Sequence, residues 1–190
     1  MPTKKIMVIR HAEKPTAAPN SEPGVMSDGT PNNEALTATG WKRADALVAF
    51  FDPPLGHFKS PEVVKPQRPF ASGPSAIDRS LRPLQTLTPL SQAFGLGIDK
   101  SFSKEDEKAL VKAVKAIGGV VLIAWQPEGI PKIAGHILGE RGQCPTKWDP
   151  LRFDLVWVFE RQGNDDSWSF IQVPQLLLPG DSRNPIPLDR

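Results

Sequence analysis

Arg10 and His11 are the residues whose types and adjacency point to chemistry. They follow a short apolar run, Ile6-Met7-Val8-Ile9, that is flanked by charges. A neutral imidazole is a competent nucleophile, and a neighbouring guanidinium can grip a phosphoryl group with a fork of donors and hold it for attack. The dipeptide alone also reads as the polar end of an edge strand, so its meaning depends on what else reaches the same place. Arg82 is the second candidate. It stands immediately before Pro83, and proline is favoured at the first position of a helix. An anion there would meet both a guanidinium and unpaired backbone N–H groups.

These side chains need a frame that carries them to one mouth. Residues 6–9 read as a buried strand that delivers Arg10 and His11 at its carboxyl end. Thr37 is a plausible N-cap for a helix with Ala44, Leu47, Val48 and Phe51 on one face, stopped by Asp52-Pro53-Pro54. Arg68–Ser72 resembles a short strand ending in a hydroxyl. Leu84, Leu87, Ser91 and Phe94 mark the inward stripe of a helix that Pro89 is expected to kink or shorten. Ser103-Lys104-Glu105-Asp106 reads as a capping box, with the acids at 105–107 as first-turn charges of an amphipathic helix closed by Gly118-Gly119. Val120–Trp125 has the pattern of a strand buried on both faces, and Ile130, Ile133, Ala134, Ile137 and Leu138 follow on one helical face.

Strand and helix alternate from residue 5 to residue 139. The expected fold is α/β, a three-layer α/β/α sandwich around a mostly parallel sheet, with its ligand site at the carboxyl ends of the strands. There Arg10, His11, Ser72 and the turn after Trp125 would meet. Residues 154–173 read as a β-hairpin turning at Gly163-Asn164, and the chain from Leu176 onward reads as a trailing segment. Residues 14–35 carry four prolines and almost nothing to bury. Leaving directly from the strand end that bears His11, they are expected to form a lid or a flexible loop.

Bulk properties set the frame for partners. A chain of 190 residues is most simply one domain, 1–190, and a net charge of +2 argues for neither nucleic acid nor a membrane. One cysteine excludes an internal disulfide, and the three histidines, His11, His57 and His136, form no metal-ligand pattern. The apolar run before Arg10 is too short for a signal peptide, so a cytoplasmic protein without metal or cofactor is expected.

The tripeptide Arg10-His11-Ala12 resembles the Arg-His-Gly or Arg-His-Ala turn of the histidine phosphatase superfamily. Two further stretches occur in that family's order. Leu36-Thr37-Ala38-Thr39-Gly40 with Ala44 is similar to its Leu-Thr-x-x-Gly-x-x-x-Ala helix start. Ala71-Ser72 with Arg82-Pro83-Leu84-Gln85-Thr86 is similar to its Ala-Ser and Arg-x-x-Gln-Thr segment. The resemblance implies a phosphoglycerate mutase-like fold and a phosphomonoesterase. His11 would attack phosphorus to form a phosphohistidine, and Arg10 and Arg82 would bind the phosphoryl oxygens. The ligand would be a phosphorylated small molecule or a phosphoprotein, and inorganic phosphate or sulfate could occupy the same site.

The chain departs from the family where the late strand should lead to a second histidine. Trp125-Gln126 is followed by Pro127, which offers neither a side-chain donor nor an N–H. Losing one preorganised donor from a site of developing charge costs about 3 kcal/mol, on the order of 10² to 10³ in rate. Gln126 is the nearest stand-in as a phosphate-binding donor, and Glu128 as the acid that protonates the leaving oxygen. The expected protein is therefore a weak phosphatase, or alternatively an inactive relative that binds a phosphorylated ligand.

Overall fold

The computed structural model describes residues 3–139, 143–163 and 166–189. Five strands form one sheet in the order β2-β3-β1-β4-β5: β1 (Lys5–Arg10), β2 (Arg68–Ala71), β3 (Val120–Trp125), β4 (Leu155–Gln162) and β5 (Ser167–Pro174). Four helices accompany them: α1 (Ala38–Phe51), α2 (Arg82–Phe94), α3 (Glu107–Ala116) and α4 (Ile130–Leu138).

The sheet is mixed, which corrects the expectation of mostly parallel pairing. β3 pairs in parallel with β1 and β2, whereas β4 pairs antiparallel with both β1 and β5. The cause lies in the segment after α4. It carries the chain back to the carboxyl end of β1, so β4 enters beside Ile9, at Val156, and has to run the other way.

Alternation along β1 divides the interior into two cores. Ile6 and Val8 pack with Val121, Ile123 and Trp125 against α3 and α4. Met7 and Ile9 pack with Leu122 and Ala124 against Leu47 and Phe51 of α1 and Leu87 and Leu90 of α2. Both faces of the central strands are thus buried, which explains their uninterrupted apolar runs.

Local expectations differ in four places. α2 runs through Pro89 to Phe94 without being shortened. The predicted capping box is instead a closed turn, with the N–H and Oγ of Ser103 both donating to Asp106 Oδ2 at 2.9 Å, and the helix starts after it at Glu107. Glu107 is no solvated first-turn charge, because its buried carboxylate accepts the Trp125 indole N–H at 3.1 Å. The chain after Leu176 is a strap. Asp181 pairs with Arg43, Ser182 N donates to Asp154, and Ile186 N donates to Gln172. Asn164 of the expected hairpin turn lies outside the described residues.

Residues 14–35 fold back on the helices. Val25 N donates to Leu36 O and Asn32 N to Gly24 O, each at 2.8 Å, and the Trp41 indole donates to Val25 O at 2.9 Å.

Candidate active site

The parallel strands end along one edge, and the residues leaving that edge build the site. His11 N donates to Trp125 O at 3.0 Å, and Ser72 N donates to Ala124 O at 3.1 Å. The ladder therefore continues past each strand end, and the turns after β1, β2 and β3 leave side by side. The start of β4 reaches the same edge, bringing residues 150–153 over Arg10.

Arg10 is pinned from above. Its Nη1 donates to the carbonyls of Pro150 at 2.6 Å and Arg152 at 3.1 Å, and its guanidinium lies 3.8 Å from the centre of the Phe153 ring. The residue is only 2% exposed. Its Nε is buried and has no hydrogen-bond partner among the described residues. An orphaned donor on a rigidly held guanidinium is costly unless something supplies an acceptor. Burial pulls Arg10 down to about 10, with Glu128, Glu13 and Asp149 opposing the shift, so the group remains a cation at neutral pH.

His11 is 3% exposed, and its Nδ1 lies 2.7 Å from Ala12 O. Burial, and next the positive charge of Arg10, push the imidazole down to about 3, so it is neutral at physiological pH. Its Nε2 hydrogen-bonds to nothing among the described residues. An uncharged ring with one unused nitrogen beside a fixed cation has the character of a poised nucleophile.

The turn that holds His11 is braced from three sides. Ala12 N donates to Thr86 Oγ1 at 2.8 Å, and that hydroxyl donates in turn to Arg82 O, tying the turn to α2. Thr37 N donates to Glu13 O at 3.0 Å, and the Thr37 side chain caps α1 through Gly40 N. Gly40 is required here, since a Cβ would stand 2.5 Å from Glu13 O. The Glu13 carboxylate accepts from buried Arg43 at 2.8 Å, and Arg43 also donates to Asp181 at 2.7 Å and Gln175 at 3.1 Å. Burial opposes the Arg43 charge, but its hydrogen bonds to Asp181 and Glu13 outweigh that and raise its pKa. Glu13, Arg43, Phe153 and Asp181 also line a cavity of about 220 Å³ behind the Arg10 turn.

Arg82 opens α2, and its positive charge is among those that lower His11. Its Nη1 lies 3.4 Å from Ser80 Oγ, and the other two nitrogens are used on the segment that precedes α1. Nε meets Ala35 O at 3.3 Å, Nη2 donates to Asn33 O, and Glu34 lies 3.5 Å away. Gln85, from the same motif, accepts Leu36 N at 2.8 Å and holds that segment rather than a ligand.

Gln126 is buried, and its amide nitrogen donates to Ser72 Oγ at 2.9 Å and Asp78 Oδ2 at 3.0 Å. A carboxylate only accepts, so Asp78 fixes the amide orientation. Both amide hydrogens are spent, and Oε1 is left buried without a partner among the described residues. Glu128 is exposed, and its carboxylate accepts from Lys104 Nζ at 3.2 Å. Burial pushes its pKa up, but its own backbone N–H, Lys104 and Lys14 outweigh that and hold it below the usual carboxylate range. His57 and His136 are both exposed.

The sequence reading missed Phe153, Glu13, Arg43, Asp78 and Lys104. Only Glu13 had a signal, its place two residues after His11. Among the described residues no group of His, Cys, Asp or Glu is arranged to hold a metal ion, and no helix is long and apolar enough to cross a membrane.

No family model and no curated protein matches the sequence. Solved structures do share the architecture. The mycobacterial glucosyl-3-phosphoglycerate phosphatase Rv2419c is similar with a TM-score of 0.55 at 10% identity, over 89% of this chain and 97% of that one. The protein histidine phosphatase SixA in complex with tungstate gives 0.51 at 12% identity, over 90% and 97%. The SixA structure from Agrobacterium tumefaciens gives 0.52 at 16% identity, over 88% and 96%. At such identities the likeness is one of fold: this chain has the α/β architecture of known histidine phosphatases.

Proposed function

We propose that the protein is a phosphomonoester hydrolase of the histidine phosphatase type, built on a three-layer, phosphoglycerate mutase-like frame. One observation carries the reading: a neutral His11, its Nε2 without a partner among the described residues, sits beside an immobilised Arg10 whose buried Nε lacks an acceptor among them. A tetrahedral phosphoryl oxygen supplies that acceptor and brings phosphorus within reach of the imidazole. The similar SixA structure holds tungstate, an oxyanion of the same shape.

His11 Nε2 attacks phosphorus, the P–N bond forms, and the ester oxygen departs with its electron pair. Arg10 neutralises the oxyanion, and Arg82 joins it by exchanging the carbonyls of Asn33 and Ala35 for phosphoryl oxygens. Water then cleaves the phosphohistidine, releasing inorganic phosphate and the neutral imidazole. Residues 14–35 act as the lid, since Arg82 links them to the phosphate pocket.

Glu128, ionised against Lys104, is a poor proton donor at neutral pH, and Gln126 has no spare hydrogen for the phosphoryl group. The leaving oxygen therefore departs largely unprotonated, which makes the enzyme slow and favours esters of acidic alcohols and phenols. The test is phosphate release from para-nitrophenyl phosphate by wild type and His11→Ala. Release by the wild type alone is expected, and equal release by both overturns the reading.

A further inference from the structure

The two edges of the sheet are built in opposite ways. β2, at one edge, is four residues long and contains Pro69. Its outer side is covered: Asp99 N donates to Pro69 O at 3.0 Å, Ala71 N donates to Asp99 O at 2.9 Å, and Gly73 N donates to Phe102 O at 2.8 Å. β5, at the other edge, runs for eight residues and pairs with β4 along its whole length. Among the described residues, the main chain of residues 168–173 forms no hydrogen bond outside that ladder. The strap meets β5 at the Gln172 side chain, which bonds the main chain of Ile186 at 2.7 and 3.0 Å and leaves the β5 backbone alone. An antiparallel strand bonds one neighbour through alternate residues, so the other half of its N–H and C=O groups face outward.

Open edges are normally guarded by a charge, a proline or a bulge. From Ser167 to Val173 β5 has none of these. The run Ser-Trp-Ser-Phe-Ile-Gln-Val is uncharged, and its pairing with β4 proceeds residue by residue without a bulge. Glu160, the charged residue opposite Ser169, lies one strand in and pairs with Lys5 at 3.6 Å. Ile171 is 44% exposed although it stands opposite buried Val158, so an apolar side chain is held at the rim of the sheet without cover.

We propose that β5 is a pairing edge for a second copy of this chain, forming an antiparallel β5–β5 ladder across a twofold axis near the middle of the strand and one ten-stranded sheet. The choice of occupant follows from symmetry. An antiparallel strand is its own complement under a twofold rotation, so seven uncharged residues meet the same seven with no like charges opposed. The outward N–H and C=O groups gain partners, and Ile171 is covered. The pair also closes on itself. Both β5 edges are consumed and both β2 edges are already covered, so the assembly stops at two. This inference does not depend on the phosphatase reading.

The test is the mass of the wild type in solution, by sedimentation or light scattering. It is expected to rise with concentration from one chain to two and to level off there by about 0.2 mM, as mass action requires. Ile171→Lys and Ser169→Lys, at exposed positions, each bring two like charges close to the axis and hold the protein at one chain. Ile117→Lys, at an exposed apolar position beyond α3, leaves the dimer unchanged. A wild type that stays at one chain throughout, a mass that climbs past two, or a dimer that survives either β5 lysine overturns the proposal.

Amide hydrogen exchange on the wild type reads the same edge without any substitution, and so stands even if a lysine variant does not fold. The outward N–H groups of residues 168–173 become protected as concentration rises. Exchange there that is independent of concentration overturns the pairing.

Discussion

His11 Nδ1 faces the carbonyl oxygen of Ala12 at 2.7 Å, and this contact decides which ring nitrogen carries the proton. A carbonyl can only accept, so Nδ1 is the protonated atom and Nε2 keeps its lone pair. The tautomer that the proposed attack requires is thus set by the turn itself.

The first prediction concerns that proton. Burial and Arg10 lower His11 from 6.5 to about 3, so its imidazole resonances, assigned by comparison with His11→Asn, stay constant from pH 8 to pH 5. A midpoint near 6.5 contradicts this. The same shift makes stability pH-dependent. Between pH 6.5 and 3 the unfolded chain binds a proton that the folded chain refuses, so stability falls as pH drops through that window. His11→Asn flattens this slope in urea unfolding measured across the same range.

A second prediction tests whether the turn after β3 lacks a donor that the proposed reaction needs. Pro127 is half-buried in the turn after β3, next to Gln126, whose amide hydrogens are taken by Ser72 and Asp78. Pro127→His should raise kcat for phenyl phosphate on the order of 10² by supplying a donor to the developing charge. Steady-state kinetics on the folded variant check it, and an unchanged kcat counts against the site of the defect.

Much of this frame was legible in the sequence. β1 and β3 are apolar runs bounded by polar residues, because both of their faces are covered, and α1 announces itself by Thr37 and its apolar stripe. The direction of β4 was not legible, since it follows from where the preceding loop takes the chain and no local pattern records that. The Arg43 network joins residues 30 and 138 positions apart, and a mid-helix arginine looks like any solvated one. Gln126 looked like a spare donor because Asp78, which takes its hydrogen, lies 48 positions earlier. Glu107 was rightly near a helix start, but its indole partner came from another element.

A third prediction concerns the support behind the His11 turn. Arg43 is buried between Glu13 and Asp181, so Arg43→Ala strands two carboxylates and should cost about 3–5 kcal/mol in urea unfolding. A loss below about 1 kcal/mol would mean the network does not brace the turn.

Gly40 gives a fourth. Alanine is normally the better helix residue, yet here its Cβ would stand 2.5 Å from the backbone oxygen of Glu13. Gly40→Ala should therefore destabilise the protein by about 1–3 kcal/mol, read from the shift of its unfolding midpoint. A stabilised variant would show that the turn and α1 can separate freely.

The most direct test of the nucleophile is to quench the protein during turnover of an aryl phosphate and locate the phosphoryl group by mass spectrometry under alkaline conditions that preserve phosphohistidine. The structure predicts an adduct on the peptide containing His11, absent from His11→Asn, which also releases no phosphate. Phosphate release by His11→Asn at the wild-type rate, with no adduct on either protein, would contradict it.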